Sequence, residues 1–293
     1  MKRRRRKSGL RRLTTFLVII LLLFGTFYVA RKSGIDLPQK IAAFFDGSRV
    51  KRPSIKLDRP VEISYAEMLN DADRFKITQS LLLINDTYGL PDNFNADVGF
   101  YKDTEVLMNR AMLDDYVRLS AAVTEATDSR MYVMLVLRSR AEQQALYDTD
   151  SSLAQRPGHS EHETGLAADV YVSQYAGANF IESDAGKFVN ASSWKYGFII
   201  RYPAGKEKVT GIPYEPWHIR YVGPVHAAAM HSSGQVLEEY IESLTVGTWF
   251  KLKDHLVSRQ RIDGPITIPE NHVGPIEVSP DNTGHVILTV RKR

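Results

Sequence analysis

The chain has 293 residues, enough for one large domain or two small ones, and its 43% hydrophobic and 25% charged residues are typical of a globular protein. It has no cysteine, which excludes disulfides, thiolate zinc ligands and cysteine nucleophiles. The net charge of +4 comes from the N-terminus, because residues 1–12 hold eight basic residues and no acid, and the rest has 30 basic and 34 acidic residues. No basic stripe interleaved with aromatic residues follows, so we expect no nucleic-acid partner.

Residues 13–30 carry no charge and are mostly apolar. At helical rise these residues span about 27 Å, close to the thickness of a bilayer core. The preceding cations predict a cytoplasmic N-terminus and an extracytoplasmic remainder. The alternative is a cleaved signal peptide, whose apolar core is usually about 7–15 residues and ends at a small-x-small site. We therefore expect a basic tail at 1–12 and a transmembrane anchor at 13–30, which makes the membrane a partner and predicts single-pass localisation.

Several segments predict regular structure. Residues 31–60 are expected to be a linker with a short helix at 37–45, and residues 104–127 an amphipathic helix. The face expected to be buried carries Leu113, Tyr116, Val117 and Ala121. The apolar run at 131–137 is typical of a strand buried on both faces. A capping box formed by Ser139 and Glu142 predicts a helix through Tyr147.

The second half of the chain is predicted to contain both strands and helices up to residue 244 and mainly strands after it. We expect strands at 170–172, 198–200 and 218–221, and a closing helix at 224–244. Residues 246–252 and 285–290 alternate in hydropathy, with Pro- and Gly-rich loops between them. This pattern predicts a domain over residues 61–244, followed by a small β appendage at 245–293 whose role is open.

Two separated motifs carry the chemistry. The first holds His162 and Asp169, and the second holds Glu215 and His218. A catalytic zinc site needs three protein ligands and an open position for water, with a base that is not itself a ligand. Asp169 adjoins an apolar strand, where an unpaired carboxylate is costly; the alternative to a metal is a salt bridge to an arginine. Glu215 could be a surface acid, but the neighbouring Trp217 favours a packed turn.

These motifs resemble the VanY-type zinc D-alanyl-D-alanine carboxypeptidases of peptidase family M15. Residues 160–169 match S-x-H-x-x-G-x-A-x-D, and residues 215–218 match E-x-W-H. The block Tyr-Gly-Phe-Ile-Ile-Arg-Tyr-Pro at 196–203 agrees as well, and the three blocks occur in the family's order. The resemblance extends over about residues 81–240.

The resemblance implies an α+β fold like that of hedgehog domains, in which a small antiparallel sheet flanked by helices carries the zinc. It implies that one Zn²⁺ is bound by His162, Asp169 and His218, with Glu215 as the general base. The family's Arg-Ser-x-x-x-Gln block matches residues 138–143 and implies that Arg138 lies near the scissile carbonyl. The implied substrate contacts are Ser160, Gln143 and Trp217.

The function that follows is hydrolysis of the terminal D-Ala from peptidoglycan stem peptides that end in D-Ala-D-Ala. A peptidoglycan endopeptidase that cuts L-Ala-D-Glu or a cross-link is an alternative with the same zinc site. A non-catalytic, zinc-stabilised module that binds the cell wall is a second alternative. The presence of Glu215 and Arg138 argues against such a module, because binding alone needs no base beside the metal.

Overall fold

Two larger sheets and two two-stranded sheets lie in the part of the chain that the computed structural model describes, residues 52–151 and 154–292. The strands are β1 (Ser54–Ile55), β2 (Pro60–Ile63), β3 (Phe75–Ile77), β4 (Val98–Phe100), β5 (Leu107–Asn109), β6 (Tyr132–Leu135), β7 (Ala167–Tyr171), β8 (Phe198–Ile200), β9 (His218–Tyr221), β10 (Trp249–Leu252), β11 (His255–Arg261), β12 (Ile266–Pro269), β13 (Val273–Pro280) and β14 (His285–Arg291). The α-helices are α1 (Tyr65–Leu69), α2 (Leu113–Thr127), α3 (Arg140–Thr149), α4 (Asp184–Ser192), α5 (Glu207–Thr210), α6 (Pro224–Ser233) and α7 (Leu237–Ser243). Short 3-10 helices cover Arg110–Met112, Glu161–Thr164, Gly177–Glu182 and Ser193–Tyr196.

The first sheet is antiparallel throughout, in the order β6-β7-β9-β8. Alternate residues of its strands, Ala168, Val170 and Ile219 among them, are fully buried in a core shared with α2 and α4. Because strand residues alternate between faces, the residues between them point to the opposite face. The expected α+β fold with a small antiparallel sheet flanked by helices is therefore confirmed for the described residues.

The second sheet contains the C-terminal strands, in the order β1-β10-β11-β14-β13-β3. Its central strands β11 and β14 are buried on both faces, by α6 and α7 on one side and by α1, β2 and β12 on the other. The strands predicted at 246–252 and 285–290 lie here as β10 and β14. The sheet also takes β1 and β3 from the N-terminal side of the first motif, so these C-terminal strands are joined to the preceding part of the chain.

The helix expected at 104–127 is shorter than predicted. It begins at Leu113, because residues 107–109 pair with β4 as strand β5. Its buried face is also rotated: Ala121 is exposed, whereas Asp115 is buried and accepts a hydrogen bond of 2.6 Å from the Tyr221 hydroxyl. Tyr221 on β9 and Arg118, three residues later in the helix, each bind one oxygen of this carboxylate and make its burial possible, and of the two only Arg118 belongs to the helix itself.

Two further expectations were wrong. The run at 131–137 is not buried on both faces: β6 is an edge strand, and Tyr132 and Met134 are 38% and 61% exposed. The closing helix at 224–244 is two helices, because Gly234 ends α6 in the left-handed region at φ 64°. By contrast, the capping box at Ser139 is present, and α3 continues two residues beyond Tyr147.

The predicted basic tail, the transmembrane anchor at 13–30 and the helix at 37–45 lie outside the described residues. Within residues 52–151 and 154–292, no helix combines the length and apolar character that a membrane crossing requires.

Gly186 allows α4 to pack closely against the preceding 3-10 helix. A Cβ at this position would lie 1.8 Å from the carbonyl oxygen of Phe180, and backbone atoms cannot move aside cheaply. We expect Gly186→Ala to lower the free energy of unfolding by about 1–3 kcal/mol, the usual cost of overpacking. Urea unfolding provides the measurement. The matched control is Gly264→Ala, whose Cβ would meet its nearest neighbour at 4.0 Å. Equal stability of the two variants would contradict this packing.

Candidate metal centre

The register of the first sheet brings two distant residues face to face. Asp169 on β7 is directly opposite His218 on β9. Both point away from the apolar core, because their neighbours Ala168, Val170 and Ile219 occupy its core face. Residues 49 positions apart in the sequence therefore share one point on the sheet.

His162 reaches the same point from a loop. It lies in the 3-10 helix before β7, which Gly165 ends in the left-handed region at φ 68°. The carbonyl of Gly165 accepts a hydrogen bond from the amide of Asn109 at 2.9 Å, and a Cβ on Gly165 would lie 3.0 Å from that nitrogen. The His162 Nδ1 donates to the carbonyl of Val136 at 2.9 Å, so its Nε2 is directed to the centre, 3.5 Å from Asp169 Oδ2.

The three side chains present one ligand atom each, and these atoms lie within 4.8 Å of one another. Asp169 Oδ1 is 3.0 Å from His218 Nδ1, yet it is buried without a properly oriented hydrogen bond. A buried carboxylate oxygen without a hydrogen bond, between two imidazole nitrogens, suits a cation, and an N,N,O donor set is one that zinc accepts. In the described part of the chain this is the one such group of His, Asp or Glu residues.

The carboxylate of Asp169 and the imidazoles of His162 and His218 shift one another's pKa values. Burial alone would raise the pKa of Asp169, but His162 and His218 hold it well below its usual range. Burial would likewise lower the pKa of His218, but Asp169 and Glu161 raise it to about 9. Asp169 is therefore ionised at neutral pH, as a metal ligand must be.

Glu215 lies at the edge of the centre. Its Oε2 is 3.6 Å from His218 Nδ1, and its side chain remains 26% exposed. Burial raises the pKa of Glu215 above the usual carboxyl value, while His218 acts in the opposite direction. Its backbone amide donates to the carbonyl of Tyr202 at 2.9 Å, which fixes the turn before β9. A partly buried carboxylate with a raised pKa can accept and return a proton near neutral pH.

The other predicted site residues lie around this centre. Arg138 is held close to His162, since its amide donates to the His162 carbonyl at 3.1 Å, and its Nη1 donates to Gln143 Oε1 at 2.8 Å. Gln143 is buried and its amide nitrogen donates to the carbonyl of Gln155, so both ends of this side chain have protein partners. Ser160 is buried at the start of the 3-10 helix, whereas Trp217 packs against the core.

Glu161 is a further buried residue of the centre that no sequence motif singles out. This residue is buried beside His218, and one of its oxygens binds both Arg201 and Arg220. Within the first motif only its position next to a candidate ligand distinguishes it, and the two arginines lie later in the chain, Arg201 directly after β8 and Arg220 on β9. His226, by contrast, lies away from the centre, between Tyr240 and Thr289.

Comparison with known proteins agrees with this geometry. Residues 105–224 match the family model described as VanY, D-alanyl-D-alanine carboxypeptidase. A D-alanyl-D-alanine carboxypeptidase of Enterococcus faecium is 32% identical over 231 residues, which cover 72% of this chain and 75% of that protein. This chain belongs to the VanY family. The described centre contains both of the family's motifs, and members of this family are hydrolases that depend on zinc.

Solved structures support the same assignment. The crystal structure of the vancomycin-resistance D,D-dipeptidase VanXYg, in complex with a D-Ala-D-Ala phosphinate analogue, superposes with a TM-score of 0.64. It is 26% identical and covers 80% of this chain and 99% of its own. The LD-carboxypeptidase LdcB has a TM-score of 0.51 and 28% identity, covering 66% of this chain and 94% of its own. VanY-family membership therefore fixes the class of enzyme as a zinc-dependent peptidase.

Proposed function

We propose that this VanY-family chain is a D,D-carboxypeptidase that binds one Zn²⁺ and removes the terminal D-Ala from peptidoglycan stem peptides. The observation that carries the proposal is the convergence of His162, Asp169 and His218 on one point, with Glu215 beside them. The D-Ala-D-Ala analogue bound to VanXYg supports the choice of substrate.

The proposed roles follow from the donor atoms. His162 Nε2, His218 Nδ1 and a carboxylate oxygen of Asp169 would hold the ion. Zinc, when bound, supplies a Lewis acid that lowers the pKa of bound water toward ~7. Glu215 takes a proton from the attacking water, whose oxygen adds to the penultimate D-Ala carbonyl. Glu215 then returns the proton to the departing amine as the C–N bond breaks, releasing D-Ala and the shortened peptide.

Arg138, Gln143, Ser160 and Trp217 would bind or position the substrate. Gln143 orients the guanidinium of Arg138, which stabilises the negative charge that develops on the carbonyl oxygen. Ser160 and Trp217 would contact the substrate or shape its pocket. An endopeptidase acting on L-Ala-D-Glu or a cross-link would use the same residues and differ in the length of the pocket. Partial burial of Glu215 at the centre favours turnover over a module that only binds the wall.

A muropeptide assay tests the substrate directly. We expect the purified protein to shorten a pentapeptide by one D-Ala, and to act poorly on a tetrapeptide and on free D-Ala-D-Ala. Chelation should abolish the reaction and zinc should restore it, whereas penicillin should not inhibit it because no serine is acylated. Mass spectrometry identifies the products. Cleavage within the stem or at a cross-link would instead support the endopeptidase, and full activity without metal would overturn the mechanism.

The two acidic roles can be separated by substitution. We expect Glu215→Ala to retain zinc while kcat falls by at least about 10²-fold, because a positioned base typically contributes 10²–10⁴-fold. Asp169→Ala should lose zinc affinity as well as activity, because it removes a ligand. Bound zinc is measured by atomic absorption after dialysis. Loss of zinc from Glu215→Ala, with retention by Asp169→Ala, would reverse the assignments.

We also propose that residues 13–30 anchor the protein in the cell membrane. The linker expected at 31–60 would then connect the anchor to an extracytoplasmic catalytic domain at 61–244, with 245–293 following it, although the end of this linker is itself folded, since Ser54–Ile55 forms β1 beside β10. The supporting observations are the uncharged segment of residues 13–30 and the eight cations before it. Protease added to intact protoplasts should remove the domain and leave a short protected N-terminal stub. A secreted product that begins after Ala30 would show that the segment is a cleaved signal peptide.

A further inference from the structure

Glu161 occupies a position that the reaction scheme above does not use. Its side chain is 1% exposed, and Oε1 accepts hydrogen bonds from Arg201 Nε at 2.7 Å and Arg220 Nη1 at 2.6 Å. Burial of two arginines and a glutamate is costly unless their polar groups are paired. These bonds fix the position of the carboxylate.

The other oxygen of Glu161, Oε2, lies next to Nε2 of the His218 ring. Oε2 lies 3.7 Å from His218 Nε2, and both atoms are buried without a hydrogen-bond partner. An unpartnered acceptor beside an unpartnered ring nitrogen is a complementary pair, because a shift of a few tenths of an ångström would join them. The opposite ring nitrogen, Nδ1, faces Asp169 and Glu215.

We propose that Glu161 is a positioning residue, which holds the proton of His218 on Nε2 so that the lone pair of Nδ1 faces the metal centre. A neutral imidazole carries its proton on one nitrogen and its acceptor lone pair on the other. An ionised carboxylate can only accept a hydrogen bond, so it selects the Nε2–H form. His162 has an equivalent arrangement, in which the Val136 carbonyl accepts from Nδ1 and leaves Nε2 directed to the centre.

Further contacts explain why the carboxylate keeps its orientation. Arg201 also binds Glu238 through both terminal nitrogens, at 2.9 and 2.6 Å. Arg220 Nη2 donates to the carbonyl of Leu82 at 2.9 Å. Because both arginines donate to Oε1, Oε2 is the oxygen that is left to accept a hydrogen bond from His218. The inference rests on the proposed zinc function, because it concerns the geometry of one ligand.

Glu161→Gln tests the inference with a side chain of the same size. Its amide oxygen should stay with the two arginines, because an NH₂ group there would face other donors. The NH₂ group would then point at His218 Nε2 and favour the form with the proton on Nδ1, where no lone pair is left for the metal. We expect zinc affinity to fall about 10- to 100-fold, the usual effect of losing such a partner.

Two matched variants separate this role from a structural one. Glu163→Gln changes a neighbouring buried acid that binds Arg140 and the Gly158 amide. Glu239→Gln changes a partly buried acid on α7 that binds Lys206 and does not contact Glu161, Arg201 or Arg220. Zinc affinity is measured by competition with a chromophoric chelator, and folding by circular dichroism. Affinity of both controls should stay within about threefold of wild type. A Glu161→Gln protein that binds zinc like wild type, or controls that lose as much affinity, would overturn the inference.

A measurement on the wild-type protein does not depend on how the variants fold. Nitrogen-15 NMR of labelled histidines, with and without zinc, identifies which nitrogen of His218 carries the proton. We expect a protected proton on Nε2 in the zinc-loaded protein, and a proton on Nδ1 or a metal bound at Nε2 would overturn the inference. If the wild type neither binds zinc nor cleaves the pentapeptide, the proposed function fails instead. Normal wild-type binding and activity with an unaffected Glu161→Gln variant would overturn the positioning role alone.

Discussion

The pairing of Asp169 with His218 across β7 and β9 is the constraint on which the centre depends. Neither residue could be buried alone at low cost, because an isolated carboxylate or imidazolium loses its hydration. Antiparallel register makes them neighbours, and the apolar residues on either side determine which face they occupy. A one-residue slip would move Asp169 into the core and Ala168 to the centre, so hydrophobic burial and the active-site geometry select the same register.

The centre is supported by contacts that extend well beyond the two motifs. Glu161 connects His218 to Arg201 and Arg220, and Glu238 on α7 holds Arg201. Helix α7 packs in turn against β10, β11 and β14, in the core that contains Tyr240, Ile241 and Val257. The C-terminal sheet therefore supports the helix that orients the buried arginine. This gives residues 245–293 a physical role, although they lie outside the segment that matches the family model.

Local sequence patterns correctly predict the elements whose start and end are determined by residues within the element itself. The capping box at Ser139 starts α3, and the strands at 198–200 and 218–221 have the predicted bounds. The candidate ligands were found because the motif spacing and the donor types agree, and the structure brings them together. Wrong predictions involve partners that are distant in the sequence. Met134 is exposed where the pairing of β6 with β7 shifts register, and Asp115 is buried with a hydrogen bond from Tyr221, 106 positions later.

Glu161 likewise depends on partners that are distant in the sequence. Its partners Arg201 and Arg220 follow it by 40 and 59 positions, and only the fold shows that all three meet behind His218. An acidic residue next to a histidine is otherwise typical of a solvated loop. Long-range electrostatic partners of this kind have no local periodicity, whereas strands and helix caps do.

Anomalous diffraction at the zinc edge, from crystals grown with zinc, tests the central claim most directly. The account predicts one strong peak per chain, about 2.0–2.2 Å from His162 Nε2, His218 Nδ1 and a carboxylate oxygen of Asp169. Glu215 should lie beside the peak without ligating it. A peak bound through His218 Nε2, a peak that replaces Asp169 by Glu215, or no peak at this point would contradict the account.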